Sequence, residues 1–196
     1  MDDYVAAQFN NTLPKPDKKS DSSISIKSSI PSDPQRISET KKKSKSVLPL
    51  ILIWTFDYRH TCTLNPAIGV NNFRKTIYQQ ANKLKQKLNG QQLELSVDQI
   101  PGSFAIVDKG GILLFFIHWD KLYVEPDSKD LIVSYRVLKN GNETKSGTVT
   151  VNNLTKNRNI RFAQSWKSSA SEFLAQYNAD IAEMTKTLIN KLVLEL

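Results

Sequence analysis

The stretch Val47-Leu48-Pro49-Leu50-Ile51-Leu52-Ile53-Trp54-Thr55-Phe56 decides how this chain is read. It is a continuous apolar run rich in β-formers. Such a run suits a strand buried on both faces, and therefore a central one. Pro49 belongs near its start, where a missing N–H matters least. The run also marks a border in composition. Residues 11–46 before it are dominated by Ser, Lys, Pro and Asp and hold no aromatic residue. Such a segment cannot bury enough apolar surface to offset its ordering entropy. Residues 1–47 are therefore expected to form a disordered polar tail or tether. Tyr4, Val5 and Phe9 are the exception, a short motif able to dock. A single folded domain is expected over 48–196.

Working outward from the run, Thr61 to Gly69 reads as a loop around the turn signal Asn65-Pro66. Asn71 or Asn72 can cap a helix. Phe73, Ile77, Ala81, Leu84 and Leu88 then recur at helical spacing on one face, and Asn89-Gly90 stops the helix. Leu93, Leu95 and Val97 alternate with polar residues, as in a half-buried strand. Pro101-Gly102 breaks this strand, and Phe104 to Val107 resumes it. Asp108-Lys109-Gly110-Gly111 reads as a turn. Ile112 to Val124 reads as the next strand, with Leu113, Phe115, Ile117 and Trp119 alternating. Leu131, Val133, Tyr135 and Val137 mark another strand. Asn140-Gly141 then signals a hairpin back through Thr144 to Val151. Ser169 and Glu172 have capping-box spacing. Phe173, Tyr177, Ile181, Met184, Leu188 and Leu192 place a long amphipathic helix over 169–194.

The predicted order is β-α-β-β-β-β-α. Each helix has one apolar stripe, so both are expected on the same face of a largely antiparallel sheet, in a two-layer α+β fold. About 150 residues suffice for an ordinary core.

Composition sets further bounds. The chain has 196 residues, 39% of them hydrophobic, and a net charge of +8. The first 47 residues carry nine basic and six acidic side chains, so the excess is spread along the whole chain. A basic balance favours anionic membranes or nucleic acid. Lys41, Lys42, Lys43 and Lys45 are the candidates for contact with an anionic surface. With one cysteine and two histidines, a structural zinc site of those ligands is not expected. No stretch reaches the roughly 18 apolar residues that span a bilayer. Met1-Asp2-Asp3 does not open a signal peptide. Either the protein is cytosolic, or Met1 stands where a signal has been removed.

Neither His60 with Cys62 nor His118 carries a spacing that identifies catalysis, and no P-loop, GxGxxG or HExxH pattern is present. The chain is read as a non-enzyme without a cofactor. The aromatics say more. With both helices on one face, the other face holds some of Trp54, Trp119, Tyr123, Tyr135 and Trp166. An exposed aromatic face is a binding surface. The competing reading packs the polar segment 152–167 over that face, with Trp166 as a plug.

Leu113-Leu114-Phe115-Phe116-Ile117, the strand Leu131–Leu138, Gly147-Thr148-Val149-Thr150-Val151 and the ending Ala170-Ser171-Glu172-Phe173-Leu174-Ala175-Gln176-Tyr177-Asn178-Ala179-Asp180-Ile181-Ala182 carry a resemblance. Over about 48–196 the pattern resembles small bacterial outer-membrane lipoproteins of the YajG type and the auxiliary lipoproteins of ABC-type lipid transport systems. The resemblance implies no enzymatic activity and a role in envelope maintenance or lipid handling. Its implied partners are another envelope protein or lipid. It also implies a periplasmic location at the outer membrane, with Met1 replacing or following a lipidated cysteine and residues 2–47 as the tether. The alternative is a cytoplasmic basic module for nucleic acid or an acidic partner. No nucleic-acid motif supports it.

Overall fold

The computed structural model describes residues 1–15, 22–50, 53–113, 117–161 and 164–196. In chain order the elements are α1 (Asp2–Gln8), β1 (Ile24–Ser28), β2 (Ser38–Leu50), β3 (Ile53–Leu64), α2 (Pro66–Gln79) and α3 (Ala81–Leu88). There follow β4 (Gln92–Gln99), β5 (Ser103–Leu113), β6 (Ile117–Pro126), β7 (Leu131–Lys139), β8 (Asn142–Val151), β9 (Arg158–Asn159) and α4 (Trp166–Glu195). The class is α+β. The strands form two sheets, however, in the orders β1-β4-β7-β8 and β2-β3-β5-β6-β9. Neighbours are antiparallel except β1 with β4.

The first sheet is covered on one face. Leu93, Leu95 and Val97 of β4 and Leu131, Val133, Tyr135 and Val137 of β7 are buried, while Asp98 and Arg136 between them are exposed. The helices lie over the buried face. They contribute Phe73 and Ile77 from α2, Leu84 and Leu88 from α3, and Ile181, Leu188 and Leu192 from α4. The two predicted stripes do share a face, but the first is broken at Gln80 (φ −112°, ψ 15°) into two helices. At Gly69 α2 lies tight against α4, where an added Cβ would stand 2.6 Å from the Tyr177 hydroxyl. That hydroxyl donates to the Pro101 carbonyl at 2.8 Å. Asn140 and Gly141 make the β7–β8 turn with positive φ at both residues, as their sequence demands.

The described parts of the first 47 residues are not a free tail. Tyr4 and Val5 dock α1, and Val5 is fully buried. Ile24 and Ile26 of β1 enter the core beside β4. Lys41, Lys42, Lys43 and Lys45 lie in β2, paired with β3. Average composition hid this, because two alternating isoleucines suffice when a formed sheet offers them an edge.

Four further expectations change. The run 47–56 is not one strand, since β2 ends at Leu50 and β3 returns antiparallel from Ile53. Residues 51 and 52 lie outside the described set, as do 114–116, across which the predicted strand Ile112–Val124 also divides into β5 and β6. The predicted loop 61–69 is the end of β3 and the start of α2. Asn65 caps that helix by accepting from the Ala67 N–H, and Pro66 occupies the first turn, where its missing N–H costs nothing. The α4 cap is Ser165 rather than Ser169.

Candidate binding site

The second sheet begins in the core and leaves it. At its root, Cys62, Leu64, Phe104 and Val124 are buried under α4 and α1. Farther along, every residue of β6 from Ile117 to Leu122 is exposed. Alternation fails there because both faces meet water. The sheet is thus an arm, and its strands run abreast with one irregularity, in β2 between Val47 and Leu50.

Its inner face continues the core face. Register sets Lys42, His60, Ile106 and Val124 in one row, and Ser44, Tyr58, Asp108 and Leu122 in the next. Beyond these come Ser46, Phe56, Gly110 and Asp120. Tyr58, Phe56 and Trp54 stack along β3 with successive ring centres 5.5 Å apart. The Phe56 ring lies over Gly110, where a Cβ would come within 2.6 Å of it. Trp54 donates its indole N–H to the Ser46 hydroxyl at 2.9 Å.

The outer face is more polar. Arg59 makes a bidentate pair with Glu125 at 2.8 and 3.1 Å beside the buried Val107, and Lys109 meets Asp57 at 3.2 Å. Trp119 lies over Gly111, where a Cβ would stand 2.4 Å from its ring. The expected turn at Asp108–Gly111 is therefore straight strand. Its glycines make room for aromatic rings that belong to other strands.

Where the inner face meets the start of α4, a cleft of about 590 Å³ opens between Lys42, Tyr58, His60, Ile106, Asp108, Leu122 and Trp166. Trp166 is held by an edge-to-face contact with Tyr4 at 5.4 Å. The Tyr4 hydroxyl donates to the Lys167 carbonyl at 2.9 Å and shares a hydrogen bond with the Ser171 hydroxyl. The Lys167 ammonium sits over both rings. Asp108 has no ion-pair partner among the described residues. Burial, with the Asp120 charge beside it, raises its pKa above the usual carboxylate range. A second hollow of about 570 Å³ lies between residues 151–158 and α4, but it has no aromatic wall.

The predicted aromatic surface is only partly assembled. Trp54 and Trp119 are exposed on opposite faces of the arm, and Tyr123 is half-buried on the outer face. Trp166 opens α4 and walls the cleft against the inner face of the arm. Tyr135 is only 3% exposed and belongs to the core, as its register with Leu95 requires. Lys41, Lys43 and Lys45 fall on the outer face of β2 and Lys42 on the inner. His118 is exposed on β6. Cys62 is buried, and burial raises its thiol pKa, the reverse of the shift that activates a nucleophile.

Asp108, Leu122 and Tyr58 went unread in the sequence, since nothing local to each shows that register places them abreast. Among the described residues no helix is long and apolar enough to cross a membrane. Compared with protein-family models, curated proteins and solved structures, the chain matches none.

Proposed function

We propose that this protein is a non-enzymatic binding module of the bacterial envelope that handles lipid-like amphiphiles in the cleft at the root of its arm. The observation that carries this reading is the cleft itself. Tyr58, Ile106, Leu122 and Trp166 offer apolar walls, and Lys42 and Asp108 offer one charge of each sign. A pocket of several hundred cubic ångströms, mostly apolar and with a few polar groups, is the usual form of a small-molecule site. A tail lies against the aromatic wall, while a zwitterionic head meets Lys42 with its phosphate and Asp108 with its amine. The likeness to envelope lipoproteins supplies the setting, a periplasmic protein tethered to the outer membrane.

The test is titration with lysophosphatidylethanolamine below its micellar concentration. It is read by Trp166 emission in a Trp54→Phe/Trp119→Phe background. Saturable binding is expected, lost in Leu122→Asp, which charges the apolar wall. A signal that never saturates, or that survives Leu122→Asp, rejects the reading. The setting is checked separately by palmitate labelling of the native gene product in a bacterial host.

A further inference from the structure

We propose that the far end of the arm docks into anionic lipid bilayers, with Trp54 and Trp119 at the water–hydrocarbon boundary. This inference rests on the order of residue types along the arm and not on the cleft. The outermost described positions of the strands are Ile53, Leu113 and Ile117, with Ile112 one residue behind. Next come the two indoles. Register puts Trp54 in the row of Ile112 and His118, and Trp119 in the adjacent row of Thr55 and Gly111. Successive residues differ by only about 3.3 Å along a strand. The two rings thus stand at nearly one height on opposite faces, and they are 36% and 44% exposed. Two residues farther back, Lys45, Asp57, Lys109 and Lys121 form one row on the outer face. Lys43 and Arg59 follow in the row behind.

Apolar tip, tryptophan tier and lysine tier is the sequence of environments met when leaving a bilayer. Tryptophan favours the interface, and lysine favours the anionic headgroups just outside it. Asp57 engages Lys109, which leaves Lys45 and Lys121 with no ion-pair partner among the described residues.

A bilayer fits this end better than a protein does. A protein partner covers one face of a sheet, whereas the exposed apolar residues here occupy both. Trp54 is inner, and Ile117, at 55% exposure, and Trp119 are outer. Immersion covers both at once. A second copy adding to the sheet would meet Lys41, Lys42, Lys43 and Lys45 along β2, and Asp120 and Lys121 along the stretch of β6 that β9 leaves open.

The experiment uses the full chain and vesicles of phosphatidylcholine with or without about 30% phosphatidylglycerol, which supplies the anionic surface. Flotation is expected with the anionic vesicles and weak or absent with the neutral ones. Trp54 and Trp119 emission is expected to shift to the blue and to be quenched by bilayers with brominated acyl chains. Ile117→Asn alters one exposed side chain, so the fold is retained. Together with Lys45→Glu/Lys121→Glu, it is expected to weaken flotation at least tenfold, while Leu122→Asp leaves flotation unchanged. The cleft and the tip thereby fail independently. The proposal is overturned by no flotation with anionic vesicles, by flotation that survives the combined Ile117→Asn/Lys45→Glu/Lys121→Glu change, or by tip-dependent dimers in light scattering without quenching.

Discussion

Strands β7 and β6 are close in length, and their fates are opposite. β7 buries every second side chain, Leu131, Val133, Tyr135 and Val137, under α4. β6 buries only Val124, near its root, and leaves Ile117 through Leu122 in water. The difference does not lie in strand propensity, since Ile117, Trp119, Leu122 and Tyr123 are good strand formers. It lies in the cover. The helices are long enough for one sheet and the root of the other, and beyond that root the arm has only its own cross-strand contacts. A sheet built this way separates two tasks. The covered sheet holds the fold together, and the arm presents side chains.

That separation predicts where stability resides. Phe73, fully buried between α2 and the covered sheet, is expected to cost about 3–5 kcal/mol on truncation to alanine. Ile117→Ala, at the tip, is expected to stay within about 0.5 kcal/mol. Urea denaturation of the two variants measures the contrast directly. Similar losses at both sites would mean that the arm is part of the folding core.

The N-terminal segment sharpens the same contrast. Ile24 is 1% exposed in β1, so Ile24→Ala is expected to cost about 2–4 kcal/mol. A free tail would register nothing. This is also where the sequence was least legible. The β7–β8 hairpin could be read from Asn140-Gly141, and the α4 stripe from Phe173 to Leu192, because both signals are local. β1 offers two apolar residues among serines and a lysine, and only the waiting edge of β4 makes them a strand. Lys41 to Lys45 looked like tail for the same reason. On an edge strand such lysines disfavour pairing with another sheet, and that placement appears only once β3 is beside them. Gly110-Gly111 misled in the opposite direction. Their demand for small residues comes from Phe56 and Trp119, 54 and 8 residues away in sequence.

Those glycines give a prediction confined to the arm. Gly111→Val places carbon where the Trp119 ring now lies, 2.4 Å from the Cβ position. Displacing the ring is expected to cost about 1–3 kcal/mol. Near-ultraviolet circular dichroism should lose part of its tryptophan signal. Hydrogen exchange in β4 and β7 should keep its protection, because neither strand touches the arm there. Loss of protection in β4 would show the two sheets to be one cooperative unit.

The smallest expected effect separates the sheets by sign. Asp98, at the end of β4, is pushed up by burial. Hydrogen bonds from the Ser134, Ser29 and Ser96 hydroxyls and the Ser134 N–H outweigh this and hold it below the usual 3.8. The native state therefore binds this proton more weakly than the unfolded chain does. Its contribution is fully present above the ordinary carboxylate range and is lost as pH falls through the lowered native value. Asp108 on the arm is shifted the other way, by burial and by Asp120. Its native form binds the proton more tightly, so its contribution is present at low pH and is lost as pH rises through the raised value. Asp98→Asn should accordingly destabilise at pH 7 and change little at pH 3. Asp108→Asn should stabilise slightly at pH 7 and lose that advantage on acidification. Solvent screening keeps both effects small. Urea midpoints at the two pH values decide the matter, and equal slopes for the two variants would contradict a covered sheet that satisfies its carboxylate and an arm whose Asp108 has no ion-pair partner among the described residues.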